Sequence, residues 1–138
     1  MSNVRKKVKV TVIGALVAAL ASCGGGGNGD SEANKVEQVA KDYYSAFARG
    51  DAKTACDLQE QESEAERAGC EAGVKYGQEL GQEVGGKLQE TLTHVDIKNV
   101  RVSGDTATAT ADFPGTNEDD KLEFAKRSGE WKLTSTGD

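Results

Sequence analysis

The sequence predicts an α+β fold for residues 34–138. Apolar residues recur at helical spacing up to about Leu92, and from Val95 onward they alternate with polar ones. Helices first and an antiparallel meander of about four strands after them is the α+β order. The length, 138 residues, suits one domain preceded by a targeting segment.

Asn34 is placed to cap the first helix, with Glu37 and Gln38 in its first turn. Val36, Val39, Ala40, Tyr43 and Phe47 share one face of that helix. Gly50 suits its left-handed end and Asp51 the next cap. A short second helix, about 52–59, carries Ala55, Cys56 and Leu58. The acids Glu60, Glu62, Glu64 and Glu66 form a solvated entrance to a third helix, predicted over 64–90. In it Ala68, Ala72, Tyr76, Leu80, Val84 and Leu88 recur every four residues, and Leu92 continues the row.

A second row, Gly69, Gly73, Gly77, Gly81 and Gly85, runs beside the first. Each interior glycine costs a helix up to about 1 kcal/mol. Close approach of another element is the expected compensation. Lys75, Glu79, Glu83 and Lys87 exclude a membrane-crossing role for this stretch.

The first strand holds Val95, Ile97, Val100 and Val102, with a parity slip at Lys98 and Asn99 that predicts a bulge. Gly104 and Asp105 turn the chain into Thr106–Phe113, where Ala107, Ala109, Ala111 and Phe113 share a face. Residues 114–119 form a loop. Leu122 and Phe124 mark a third strand, Ser128 and Gly129 a hairpin turn, and Trp131 and Leu133 a fourth strand.

The N-terminus is of a different kind. Arg5, Lys6, Lys7 and Lys9 precede an apolar run, Val10–Leu20, of 11 residues. A bilayer span needs roughly 20 residues, so this is the pattern of an export signal. It ends in Leu20-Ala21-Ser22-Cys23, which resembles the lipobox of bacterial lipoproteins. The resemblance implies a signal peptide over residues 1–22, removed before Cys23, and a diacylglycerol on the Cys23 thiol. The domain would then hang from a membrane on its extracytoplasmic face. Residues 23–33 are rich in glycine and read as a flexible tether.

Without residues 1–22 the chain keeps 13 basic side chains against 23 acidic ones, a net charge of −10. Such a surface repels nucleic-acid phosphate, so nucleic acid is not an expected partner. With Cys23 acylated, Cys56 and Cys70 remain. In an oxidising compartment they are expected to form a structural disulfide. These two cysteines and the lone His94 lack the paired spacing of a metal site, and no cofactor motif is present.

The domain resembles the nuclear transport factor 2-like superfamily, which includes ketosteroid isomerases and polyketide cyclases. The likeness rests on Val39–Phe47, Arg49-Gly50-Asp51, Ala55–Leu58, Val100–Ala111 and Gly129–Leu133. It implies a curved sheet wrapped around helices to form a cone. The alanine row would leave space in that cone, and Tyr43, Phe47, Tyr76 and Trp131 are its candidate walls, with Phe113 and Phe124 beside them. Tyr43 and Tyr44 are sequence neighbours, so only one is expected to face inward.

Enzymes of the superfamily use an Asp or His base beside Tyr or Asp donors. Asp112 falls on the strand face opposite the alanines and His94 at a helix end, so no catalytic constellation is expected. The preferred expectation is a non-catalytic module at the cell envelope that binds a small ligand or a protein. The alternative is a small-molecule isomerase, cyclase or hydratase of the same fold.

Overall fold

The structure, a computed structural model, describes residues 28–137. The elements run α1 (Asn28–Arg49), α2 (Ala52–Asp57), α3 (Glu64–Glu83), α4 (Lys87–Thr93), β1 (Asp96–Ser103), β2 (Thr106–Asp112), β3 (Asp119–Arg127) and β4 (Glu130–Gly137). The strands form one antiparallel sheet in the order β1-β2-β3-β4, and the helices pack with it. This is the predicted α+β order. The signal peptide and Cys23 lie outside the described residues.

Helix α1 begins at Asn28, not after Asn34, so its first turns occupy part of the stretch read as tether. Glu32 anchors them, as described below. At 22 residues the helix is about 33 Å long. It buries Val36, Ala40, Tyr43, Tyr44 and Ala46. Gly50, with φ +69°, ends it: its N–H donates to Phe47 O at 3.0 Å, and Asp51 N–H donates to Ala46 O at 2.9 Å. The Asp51 side chain then accepts from Thr54 N–H at 3.1 Å and caps α2. Ser63 caps α3 by accepting from Glu66 N–H, while the Glu66 carboxylate accepts from Glu62 N–H at 2.7 Å. That is the role of part of the acidic run.

The predicted helix over 64–90 breaks in two. Gly85 (φ +84°) and Gly86 (φ +76°) take left-handed conformations that close α3, and Gly86 N–H donates to Gly81 O. Gly85 is thus a terminator rather than a member of a packing ladder. Of the other four glycines in that row, two are closely approached. A Cβ on Gly77 would lie 2.8 Å from the Phe47 ring, and one on Gly81 would meet the Gln89 amide at 2.6 Å. At Gly69 and Gly73 nothing lies within 4 Å.

The inward face of α3 is therefore Cys70, Val74, Gly77 and Gly81, and the predicted apolar row points outward. Tyr76 is 63% exposed, Leu80 42% and Val84 66%. Two contacts set this rotation. Cys70 is bonded to Cys56, with Cα atoms 6.0 Å apart. Gln78 Nε2 donates to Arg49 O at 3.1 Å, satisfying a carbonyl at the end of α1.

The strands meet in the expected meander order, with an additional, unpredicted irregularity between Glu123 and Phe124 of β3. The bulge falls between Lys98 and Arg101, with Asn99 at φ +53°. Ala107, Ala109 and Ala111 face inward, but they leave no central space. Ala109 is 2% exposed, and the row is packed in one core with Val36, Ala40, Tyr43, Tyr44, Leu122 and Phe124. Alanines here let α1 approach the sheet closely, so the core fills the volume a cone would keep open. Residues 58–60 run beside β4: Leu133 N–H donates to Leu58 O and Glu60 N–H to Leu133 O, each at 2.8 Å. This partly covers an edge that would otherwise be free to pair with other chains.

Candidate functional site

The four candidate walls do not share one cavity. Tyr43 and Phe47 stay together on α1, Trp131 lines a separate groove, and Tyr76 lines neither because its side of α3 faces solvent.

Tyr43 and Tyr44 are both buried, against the expectation for sequence neighbours. They sit where α1 meets both α2 and the sheet, so two adjacent directions are covered. Their rings pack edge to face at 5.2 Å, and Tyr44 meets Phe113 in the same way at 5.4 Å. Gln59 Nε2 donates to the Tyr43 oxygen at 3.0 Å, and Tyr44 O–H donates to Asp120 Oδ2 over a long 3.4 Å. Burial, followed by the negative charge of Asp120, pushes both phenols up from their ordinary value. They keep their protons at neutral pH, so neither offers a phenolate base. With Phe47, Leu88, Leu92, Asp120 and Thr136 they border a cleft of about 200 Å³.

The second hollow is a groove of about 420 Å³ between α1 and the β3–β4 turn. Val39, Leu58 and Trp131 supply its apolar surface, and Lys35, Gln38, Glu130 and Lys132 its polar rim. A network fixes the indole. Trp131 Nε1–H donates to Glu32 Oε2 at 2.8 Å. Lys126 Nζ donates to the same oxygen at 2.8 Å and stands 5.7 Å from the ring centroid. Lys35 Nζ takes Glu32 Oε1 at 2.7 Å. The Lys126 ammonium, then that of Lys35, then the indole N–H hold the Glu32 carboxyl down at about 2. On the rim, Lys132 Nζ donates to Asp57 O at 2.7 Å.

Glu32 is the functional-looking residue that sequence reasoning missed. Its signal was present: it lies one helical turn before Val36 and three residues before Lys35, so it extends the first helix.

Asp112 pairs with Lys98 on the sheet's outer face, and His94 sits exposed at the end of α4, its ring nitrogen 2.8 Å from Glu90 O. Neither lines the cleft or the groove. Cys56 and Cys70 form the expected disulfide. Among the described residues no three His, Cys, Asp or Glu side chains gather in a metal-binding group, and no helix is long and apolar enough to cross a membrane. Comparison with protein-family models, curated proteins and solved structures finds no match.

Proposed function

We propose that this chain is an extracytoplasmic lipoprotein, anchored by a lipid on Cys23, whose domain is a non-catalytic binding module. The groove at Trp131 carries the binding reading. Its volume falls in the roughly 300–1,000 Å³ range of ligand pockets, and it combines an apolar floor with a few polar groups at the rim. A small molecule with a flat apolar part and a polar edge fits that lining, and an envelope protein could offer such a group on a side chain. The domain is read as a shortened and filled form of the cone fold, in which binding has moved from the centre to the rim. The order of helices and meander supports that likeness.

One further observation favours binding over isomerase, cyclase or hydratase chemistry: Asp112 is tied to Lys98 on the outer face of the sheet. The Leu20–Cys23 motif after a short apolar run supports the anchor, and the Cys56–Cys70 bridge is consistent with an oxidising compartment.

The two halves of the reading are tested separately. An alkyne fatty acid should label the wild-type chain in its producing cells and not Cys23→Ala; labelling of the alanine variant would remove the anchor. Trp131 is the chain's single tryptophan, so its fluorescence reports the groove directly. Extracts of the native envelope should shift that emission in the wild type but not in Val39→Glu. Equal shifts in both proteins would remove the groove as the site.

A further inference from the structure

We propose that the cleft between α1, α4 and the first residues of β3 binds a small methylated ammonium ion, with Asp120 as its counter-charge and Tyr43, Tyr44 and Phe47 as an aromatic cage. This site is separate from the groove at Trp131 and does not depend on it. Asp120 differs from the other half-buried acids among the described residues. Glu32, Glu37, Asp57, Glu60, Glu71 and Asp112 each hold a lysine or arginine nitrogen within 3.3 Å, and Asp51 caps α2. Asp120 has neither kind of partner. Among the described residues its carboxylate accepts the long 3.4 Å contact from Tyr44 and no other side-chain hydrogen bond. A half-buried carboxylate without a cation carries a desolvation cost, and an added positive charge offsets it.

The lining selects the kind of cation. Tyr43 stands at 70° to Tyr44 and at 54° to Phe47, with ring centroids 5.2 and 6.3 Å apart. Rings inclined in this way wall a hollow on more than one side, whereas stacked rings present a single face. Aromatic faces attract cations, and Leu88 and Leu92 add methyl groups to the border. A metal ion or a bare ammonium keeps its water here, because one carboxylate replaces too little of the hydration shell. A methylated nitrogen carries its charge behind apolar groups and suits both the rings and the leucines. The volume, about 200 Å³, lies below the roughly 300–1,000 Å³ of drug-sized sites, so the cleft takes a headgroup and not a large molecule. The excess of 23 acids over 17 bases draws cations towards the chain.

The test uses the full chain purified from its producing cells in maltoside micelles, with radiolabelled choline in equilibrium dialysis against micelles alone. One choline should be retained per chain. The neutral tert-butyl analogue of choline should compete about tenfold less well, because it has the shape without the charge. Asp120→Asn should weaken retention about tenfold or more. Leu88→Lys, at an exposed border position, sets a tethered ammonium beside the carboxylate and should displace choline to a similar extent. Tyr44→Phe keeps the ring and frees the carboxylate, so it should retain choline at least as well as the wild type. Val39→Glu alters the other groove and should change nothing. Displacement of bound choline by glycerophosphocholine assigns the site to a lipid headgroup, and resistance assigns it to a free ion. The proposal is overturned if no choline is retained, if the neutral analogue or sodium competes equally, if Asp120→Asn and Leu88→Lys both bind like the wild type, or if Val39→Glu alone abolishes retention.

Discussion

Glu32 shows how one side chain can recruit a segment into the fold. Its carboxylate gathers Lys126, Lys35 and the Trp131 indole and so ties the first turns of α1 to the β3–β4 hairpin. Its pKa is lowered from 4.5 to about 2, so the unfolded chain takes up the proton first as pH falls. The carboxylate's contribution to stability is therefore full above pH 4.5, declines between 4.5 and about 2, and is gone below. Thermal melts of wild type and Glu32→Gln should differ at neutral pH and converge over that window. A difference that stays constant down to pH 2 would contradict the assignment. Gly77 is the opposite case, a residue whose value is the side chain it lacks. Gly77→Ala drives a Cβ into the Phe47 ring and should destabilise by about 1–3 kcal/mol in urea titrations. Gly69→Ala and Gly73→Ala meet open space and should each stabilise α3 by up to about 1 kcal/mol.

At the scale of elements, the disulfide joins α2 to α3 and turns α3 about its axis. Cys70 must face α2, and Val74, Gly77 and Gly81 share its face, so Tyr76, Leu80 and Val84 are carried outward. The sequence held both clues, the pairing of the cysteines and the helical period. Combining them would have predicted the rotation, whereas the apolar row taken alone pointed the wrong way. Closing a loop of 14 residues contributes about 3 kcal/mol through the unfolded state. Replacing both cysteines by serine should lower the urea midpoint accordingly. Amide exchange should rise most in α3, whose remaining holds on α1 are Gly77 against Phe47 and Gln78 on Arg49. Uniform acceleration across the sheet as well would mean that α3 does not open by itself.

For the molecule as a whole, the filled interior decides between a cone and a packed core. Ala109 pairs with Leu122 across the sheet and is sealed within the core shared with α1. Ala109→Leu should therefore overpack and cost about 1–3 kcal/mol, read as a lowered urea midpoint. A variant as stable as the wild type would reveal free space under α1 and restore the central pocket. With the interior closed, the proposed binding rests on a surface hollow, the groove at Trp131.

Local pattern determined most of the helix and strand segments, where Gly50, Gly104 and Gly129 turn the chain, and the bulge after Lys98, though not the early start of α1 or the break between α3 and α4. These depend on backbone preferences and on a period of two or 3.6, which neighbouring residues settle among themselves. Tertiary structure alone decided that Tyr43 and Tyr44 are both buried, that the alanine row is filled, that Glu32 belongs to the domain, and that Tyr43, Phe47, Tyr76 and Trp131 part company. Each of those outcomes depends on what arrives from elsewhere in the chain. Helix α3 carries two adjacent faces free enough of charge to be buried, and periodicity ranks them by hydrophobicity, which favours Tyr76 and Leu80. Close packing against Phe47 and the bond to Cys56 favour the bare face instead, because only a helix without side chains there can come near enough to make both contacts.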